Sequence, residues 1–399
     1  MSKQSNKRQD AYYEPGNSLR DYIRSLFIRF GRSTSGKVHV RDAIDVQRTM
    51  MLVMLALMPA TLFGLYNVGY QAQLAVISGL STPDVWQLMP FNALVGGLTA
   101  DSGLLSLMAY GASFFLPIYL VAMLTNLAWE VVFARVRGSE LQEGFMVTSL
   151  LLALILPVSI PLWMVAVAIS FGVVMAKEIF GGLGYNFLNP ALAALAFIYF
   201  AYPGEFESAA TLVAVDGFTG ATTLAQTAAG KLSWDAGALA AFSDGAWWDA
   251  FLGFTPGAIG ETSTLAILIG GAYLILTRLV DWRIVTAVFF GMVATSMLFN
   301  VIGSETNAMF AMPWTWHLVT GGFAIGMMFM ATDPVTTAYT RKGKWAFGLM
   351  IGAMTVMIRV VNAKMPEGIM LAILFANLWA PLFDHLVMRA NIKRRLARS

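Results

Sequence analysis

The chain has no cysteine. A disulfide, a thiolate zinc site, an iron–sulfur cluster and a C-x-x-C-H haem attachment are therefore excluded as contributions of this chain. Charge is scarce too: 12% of the 399 residues are Asp, Glu, Lys or Arg, against about 25% in soluble domains. Histidine is limited to His39, His317 and His385, too far apart in sequence to read as a metal set; they are expected as interface or packing residues. No cleavable signal pattern is expected, because roughly the first 45 residues are polar and basic. Long stretches also lack positive charge. No Lys or Arg falls between Arg48 and Arg135 or between Arg137 and Lys177, and Lys231 alone falls between Lys177 and Arg278.

What is abundant is apolar. Hydrophobic residues make up 57% of the chain and the mean hydropathy is +0.66. This is the composition of an all-α polytopic membrane protein in a lipid bilayer, and nothing in it points to nucleic acid. Ten apolar runs approach the ~17–25 residues needed to cross: 49–67, 112–134, 145–161, 163–180, 187–203, 263–279, 284–302, 316–332, 345–361 and 367–387. The third is short and carries Pro157 and Pro161, the mark of a broken or re-entrant segment.

The sparse charges orient these runs. With the N-terminus in the cytoplasm, all of the 26 basic residues except Lys231, Arg359 and Lys364 fall on the inner side, as the positive-inside rule requires. Both termini are then cytoplasmic and 204–262 is periplasmic. The expected organisation is a basic N-terminal segment at 1–48, a first helix bundle at 49–203, the outer loop at 204–262, a second bundle at 263–388 and a basic tail at 389–399. Within the first segment Leu19, Tyr22, Ile23, Leu26, Phe27 and Phe30 recur at helical spacing, which predicts an interfacial amphipathic helix or a docking helix for another protein of the same assembly. Residues 135–157 also align with 359–381, sharing Arg135/Arg359, Glu143/Glu367, Gly144/Gly368 and Pro157/Pro381. The topology runs the two copies in opposite directions, as inverted repeats do.

Ionisable groups at membrane depth default to functional candidates. Glu143 opens the third run, Asp333 ends the eighth and Asp384 lies near the inner end of the tenth. Carboxylates with carbonyls and Thr hydroxyls suit a hard monovalent cation or a proton; capping or pairing with nearby Arg and Lys is the structural alternative. Glu178 beside Lys177 reads as a paired charge. The turn Gly181–Pro190 lacks the third Gly, the preceding strand and the downstream acid of a dinucleotide site. Its Asn186 and Asn189 offer amides either to a neutral polar ligand or to turn and cap chemistry.

The outer loop holds the most specific pattern, Asp216-Gly217-Phe218-Thr219-Gly220-Ala221-Thr222, which reads D-x-x-[S/T]-G-A-T. A Thr hydroxyl is a poor nucleophile until activated, so a separate transferase must act on it, and Gly220 and Ala221 leave the backbone bare for that enzyme to approach. With this pattern, the ten runs and blocks such as Ala176-Lys177-Glu178-Ile179-Phe180-Gly181-Gly182, Asn186-Phe187-Leu188-Asn189-Pro190 and Phe329-Met330-Ala331-Thr332-Asp333-Pro334, the chain resembles the NqrB family of bacterial sodium-translocating NADH:quinone oxidoreductases over nearly its whole length.

The resemblance implies a six-subunit inner-membrane translocase whose NADH site lies on another of the six. It implies FMN esterified through its phosphate to Thr222, with Asp216, Thr219, Gly220 and Ala221 forming the acceptor sequence read by a periplasmic flavin transferase. It implies a non-covalent riboflavin, with Asn186 and Asn189 as candidate contacts. It places ubiquinone near Gly144 and makes Glu143, Asp333 and Asp384 candidates for the sodium path. The homologous RnfD component of the ion-pumping ferredoxin:NAD reductases shares the acceptor pattern. A non-redox channel of the urea or ammonium type is the rival of another class, and covalent flavin separates it from both.

Overall fold

The computed structural model describes residues 46–138, 141, 144–204, 215, 222–232, 234, 242, 244–362 and 367–398. The expected helix at 19–30, Glu143, and the expected acceptor residues Asp216, Thr219, Gly220 and Ala221 lie outside these.

The described residues are helical, with no strand among them. In chain order the helices are α1 (Val46–Ile77), α2 (Met89–Val95), α3 (Leu104–Arg137), α4 (Gly144–Ile155), α5 (Leu162–Ala176), α6 (Pro190–Ala201), α7 (Thr223–Ala228), α8 (Gly245–Leu252), α9 (Thr264–Leu276), α10 (Trp282–Ile302), α11 (Trp314–Val319), α12 (Phe323–Ile325), α13 (Arg341–Val361) and α14 (Ile369–Leu396). A π-helical turn, Gly326–Met330, continues α12.

Helices coincide with all ten apolar runs, and they are of unequal kinds. Six segments are long and apolar enough to cross a membrane, in α1, α3, α5 with the turn after it, α10, α13 and α14. Three are shorter: α4 and α6 have 12 residues each and α9 has 13. At 1.5 Å per residue these reach about 18–20 Å, well short of a ~30 Å hydrocarbon core. The eighth run is broken into α11, α12 and the π turn. The chain is thus a multi-pass helical membrane protein, whose expected ten crossings comprise six full-length candidates, three short helices and one interrupted segment.

The breaks have local causes. Pro157 and Pro161 follow α4 and stop it. Asn189 caps α6, its Oδ1 accepting from the Ala191 and Leu192 N–H groups at 3.1 and 3.2 Å, and Pro190 takes the first helical position. Gly321, at φ +63°, ends the α11 segment in a conformation that other residues rarely adopt.

Most of the buried apolar side chains form one continuous core. α10 lies along α13, α1 along α3, and α1 also meets α9, which joins the two halves. Small residues bring the backbones together: a Cβ on Gly111 would run into the Leu65 carbonyl, and one on Gly352 into that of Val288. The aligned segments of the suspected repeat both run from the end of one helix to the start of the next. Arg135 and Arg359 sit in the last turns of α3 and α13. Gly144 opens α4 and Gly368 precedes α14 at φ +62°. The copies then diverge, since α4 ends before Pro157 while α14 continues through Pro381.

Candidate functional site

One end of the bundle holds a cavity of about 110 Å³. The starts of α1, α4 and α6, the end of α9, the turn before α6 and the end of the interrupted segment converge on it. It gathers Gly144, Asn186, Asn189 and Asp333, four of the residues singled out in the sequence. Its wall is otherwise largely apolar, with Met50, Leu151, Leu274 and Phe329 among the lining side chains.

The polar groups differ in how far they are committed. Asn189 is 4% exposed and spends its side-chain oxygen on the α6 cap. Asn186 is 7% exposed; its Nδ2 reaches Asp333 Oδ2 at a long 3.5 Å, and its Oδ1 is buried without a partner. An orphaned buried carbonyl costs roughly 1–3 kcal/mol, so this oxygen is free for a donor from a ligand. Asp333 Oδ1 accepts from the Val335 N–H at 3.1 Å, which turns the chain at Pro334. A Cβ on Gly144 would stand 2.9 Å from Leu183 Cδ1, so that side chain would have to shift.

Beside this cavity lies an ion-pair network that hydropathy alone did not reveal in full. Lys177 lines the cavity and pairs with Glu130 of α3 and, at 3.5 Å, with Glu178. Arg137 reaches the Glu178 carboxylate at 2.7 Å and also donates to its carbonyl. Glu178 is the paired charge the sequence predicts. Glu130 was hidden as a single acid inside a 34-residue apolar helix.

Asp384 stands apart from the cavity. It accepts from the Tyr339 N–H at 2.7 Å, the Thr340 N–H at 2.8 Å and the Thr340 hydroxyl at 2.6 Å. Thr340 in turn caps α13, its hydroxyl accepting from the Gly343 N–H at 3.1 Å. The carboxylate thereby ties α14 to the start of α13.

Thr222 sits in a second, smaller cavity of about 20 Å³. It caps α7, its Oγ1 accepting from the Ala225 N–H at 3.1 Å. Thr223, Ala250, Gly257, Glu261, Thr262 and Thr320 are among the cavity's other lining residues. The two cavities have no described lining residue in common, and α9 runs between them, from Thr262 just before its start to Leu274 near its end.

Thr222 and the polar cavity thus occur in one helical membrane chain, and comparison with known proteins identifies its relatives. The model of the NQR2, RnfD, RnfE family matches residues 33–393. The chain is 54% identical over 389 residues to the B subunit of the Na(+)-translocating NADH-quinone reductase of Pseudoalteromonas atlantica, covering 97% of this chain and 95% of that protein. The same-named proteins of Neisseria meningitidis serogroup A and Klebsiella pneumoniae strain 342 are 53% and 52% identical over 395 and 408 residues. These cover 97% and 98% of this chain, and 95% and 98% of the respective relatives. A match this long and this even, spanning both cavities and the helices between them, makes the chain a member of the NQR2, RnfD, RnfE family.

Proposed function

We propose that the chain is the NqrB component of a sodium-translocating NADH:quinone oxidoreductase of the bacterial inner membrane. In this reading it is one of six subunits, with both termini in the cytoplasm and Thr222 outside. The observation that carries the reading is the polar cavity: Gly144, Asn186, Asn189 and Asp333, scattered through the sequence, meet there around an unpartnered amide oxygen. More than 50% identity to proteins named for the Na(+)-translocating reductase favours this complex over the ferredoxin:NAD reductases.

Thr222 fits as an anchor for FMN. Its hydroxyl lies at a cavity that admits only a small group, which suits a phosphate ester rather than the lining of a ring pocket. The ester oxygen keeps a lone pair for the Ala225 N–H. The other cavity fits a neutral planar ring such as riboflavin: Asn186 supplies an acceptor and a donor, and the apolar wall excludes water. Gly144, in the wall of the same cavity, is the candidate contact for the quinone. When bound, the flavins supply one- and two-electron carriage.

The remaining roles belong to the chain's own side chains. Asp333, held to Val335 and Asn186, offers a carboxylate oxygen to a sodium ion next to the carrier. Glu143 and Asp384 extend that path in the same reading. Coupling requires that sodium affinity differ between two arrangements of these groups.

The test is in-gel flavin fluorescence of the denatured chain, produced with its flavin transferase, wild type beside Thr222→Ala. A fluorescent wild-type band that disappears in the variant is the expected result. A dark wild-type band, with the transferase shown to be active, would move the reading to a channel-like transporter.

A further inference from the structure

Glu261, which lines the smaller cavity, belongs to a charged cluster that the flavin reading does not use. Glu261 lies in the turn before α9 and Glu367 in the turn before α14. Both reach the Gly321–Gly322 turn of the interrupted segment. Their Oε2 atoms stand 3.1 and 3.9 Å from the point a Gly322 Cβ would occupy, so both carboxylates come to the same residue.

Each carboxylate is fixed by backbone: Ala258 N–H donates to Glu261 Oε1 at 3.0 Å and Gly322 N–H to Glu367 Oε2 at 2.9 Å. A Cβ at Gly321 would collide with the Glu367 carboxylate.

The facing groups from the surrounding elements are Arg359 of α13 and His317 of α11. Arg359 is 0% exposed. It donates to the carbonyls of His317 at 2.8 Å, Thr320 at 2.9 Å and Glu367 at 3.3 Å. His317 is 1% exposed and its Nε2 has no partner. Thr262 is 4% exposed, lines the cavity beside Glu261, and its hydroxyl also lacks a partner. Among the described residues of the cluster, two carboxylates thus oppose one guanidinium. Arg359, His317 and Thr262 are buried and the two Glu residues half-buried; an uncompensated negative charge in such surroundings is costly, and taking up one positive charge removes that cost.

We propose that Glu261 and Glu367 together hold one exchangeable proton, forming a proton-binding site at the cavity that Thr222 and Glu261 line. Glu261 itself lines that cavity, next to the unpartnered Thr262 hydroxyl. Burial first, and the nearness of Glu367 second, hold the Glu261 carboxyl well above its ordinary value of 4.5. The site stands on its own geometry. Its link to redox rests on the flavin reading: negative charge gained at Thr222 tightens the pair's hold on the proton.

The test is infrared difference spectroscopy of the purified complex against pH, in H₂O and D₂O. The wild type is expected to show a D₂O-sensitive carboxylic-acid carbonyl band that titrates above the ordinary carboxylate range. Glu261→Gln and Glu367→Gln are expected to lose it, while Glu261→Asp keeps a shifted one. Absence of a titrating band in the wild type overturns the proposal without any variant. So do unchanged spectra in both Gln variants. Loss of the wild-type band when sodium replaces choline at fixed pH would also overturn it, by making the ligand an alkali cation. Reduction with dithionite should strengthen the band in the wild type and not in Thr222→Ala. No strengthening in a wild-type sample whose denatured band fluoresces overturns the redox link, whereas a dark band faults the flavin reading instead.

Discussion

Asp384 shows what a carboxylate at membrane depth can do before any ion arrives. Its three donors come from two residues at the start of α13, and hydrogen bonds to a charged group are worth about 1.5–3 kcal/mol each. Asp384→Asn keeps the size but turns an amide N–H₂ toward donors. It should lower the temperature at which the complex loses activity by several degrees. Measured beside sodium-dependent turnover, the variant separates the two roles: a loss of sodium dependence at unchanged thermal stability would assign Asp384 to the path alone.

The same residue marks the limit of the sequence. An Asp near the end of an apolar run was legible as significant, but its partners lie 44 and 45 positions away and no local pattern announces them. Asn189 was easier, because Asn-Pro at a helix start carries its own cap chemistry. Asn186, four positions from Pro190, looked equivalent and proved different: its oxygen has no partner. Glu261 and Glu367 come together only because two turns meet a third. The match of Glu143 with Glu367 drew notice to one member of that pair and gave no hint of the other.

At the scale of elements, the close approach of α10 and α13 rests on positions without side chains. Gly352 meets the Val288 carbonyl and Gly348 meets Ala287. In a bilayer, where burial of apolar surface gives little drive, this contact is what van der Waals packing has to work with. Gly352→Leu should push the helices apart and cost at least the ~1–3 kcal/mol of an overpacked core. Yield of assembled complex after detergent extraction reads this directly, with Gly352→Ala expected to be intermediate. Equal yields from all three would show that the contact is dispensable.

Helix existence was read well from hydropathy, since a long apolar run has few other fates. Which runs fall short of crossing was read only in part. Pro157 and Pro161 announced the short third helix. Gly321 and Gly322 break the eighth run without proline, and a run scored for apolarity passes over glycine.

At the scale of the whole molecule, charge as well as packing ties helices of the second bundle to one another. Asp281 caps α10 through the Arg283 N–H at 3.0 Å and pairs with Lys344 of α13 at 2.8 Å. Partial burial pushes its carboxyl upward, but the Lys344 and Arg283 bonds outweigh this and leave it below its ordinary value of 3.8. A depressed acid stabilises the fold fully above its unfolded value, and that contribution is lost as pH falls through the folded one. The thermal-stability gap between wild type and Asp281→Asn should therefore be constant near neutrality and close below about pH 3.8. A gap that persists at lower pH would mean that the cap geometry, not the charge, accounts for it.

Two connections of unlike stiffness run between the cavities. α9 is an unbroken rod whose ends lie at the two sites, so a push along its axis at one end arrives at the other. The segment from Thr320 to Asp333 also reaches both, through a glycine turn and then a π turn closed by the Ala331 N–H on the Gly326 carbonyl at 2.7 Å. A π turn stores one surplus residue in a helix, and such slack lets one end shift while the other stays in place. The protein therefore places a strut and a spring in parallel between its two polar centres, and tension set up at either centre must be shared between them.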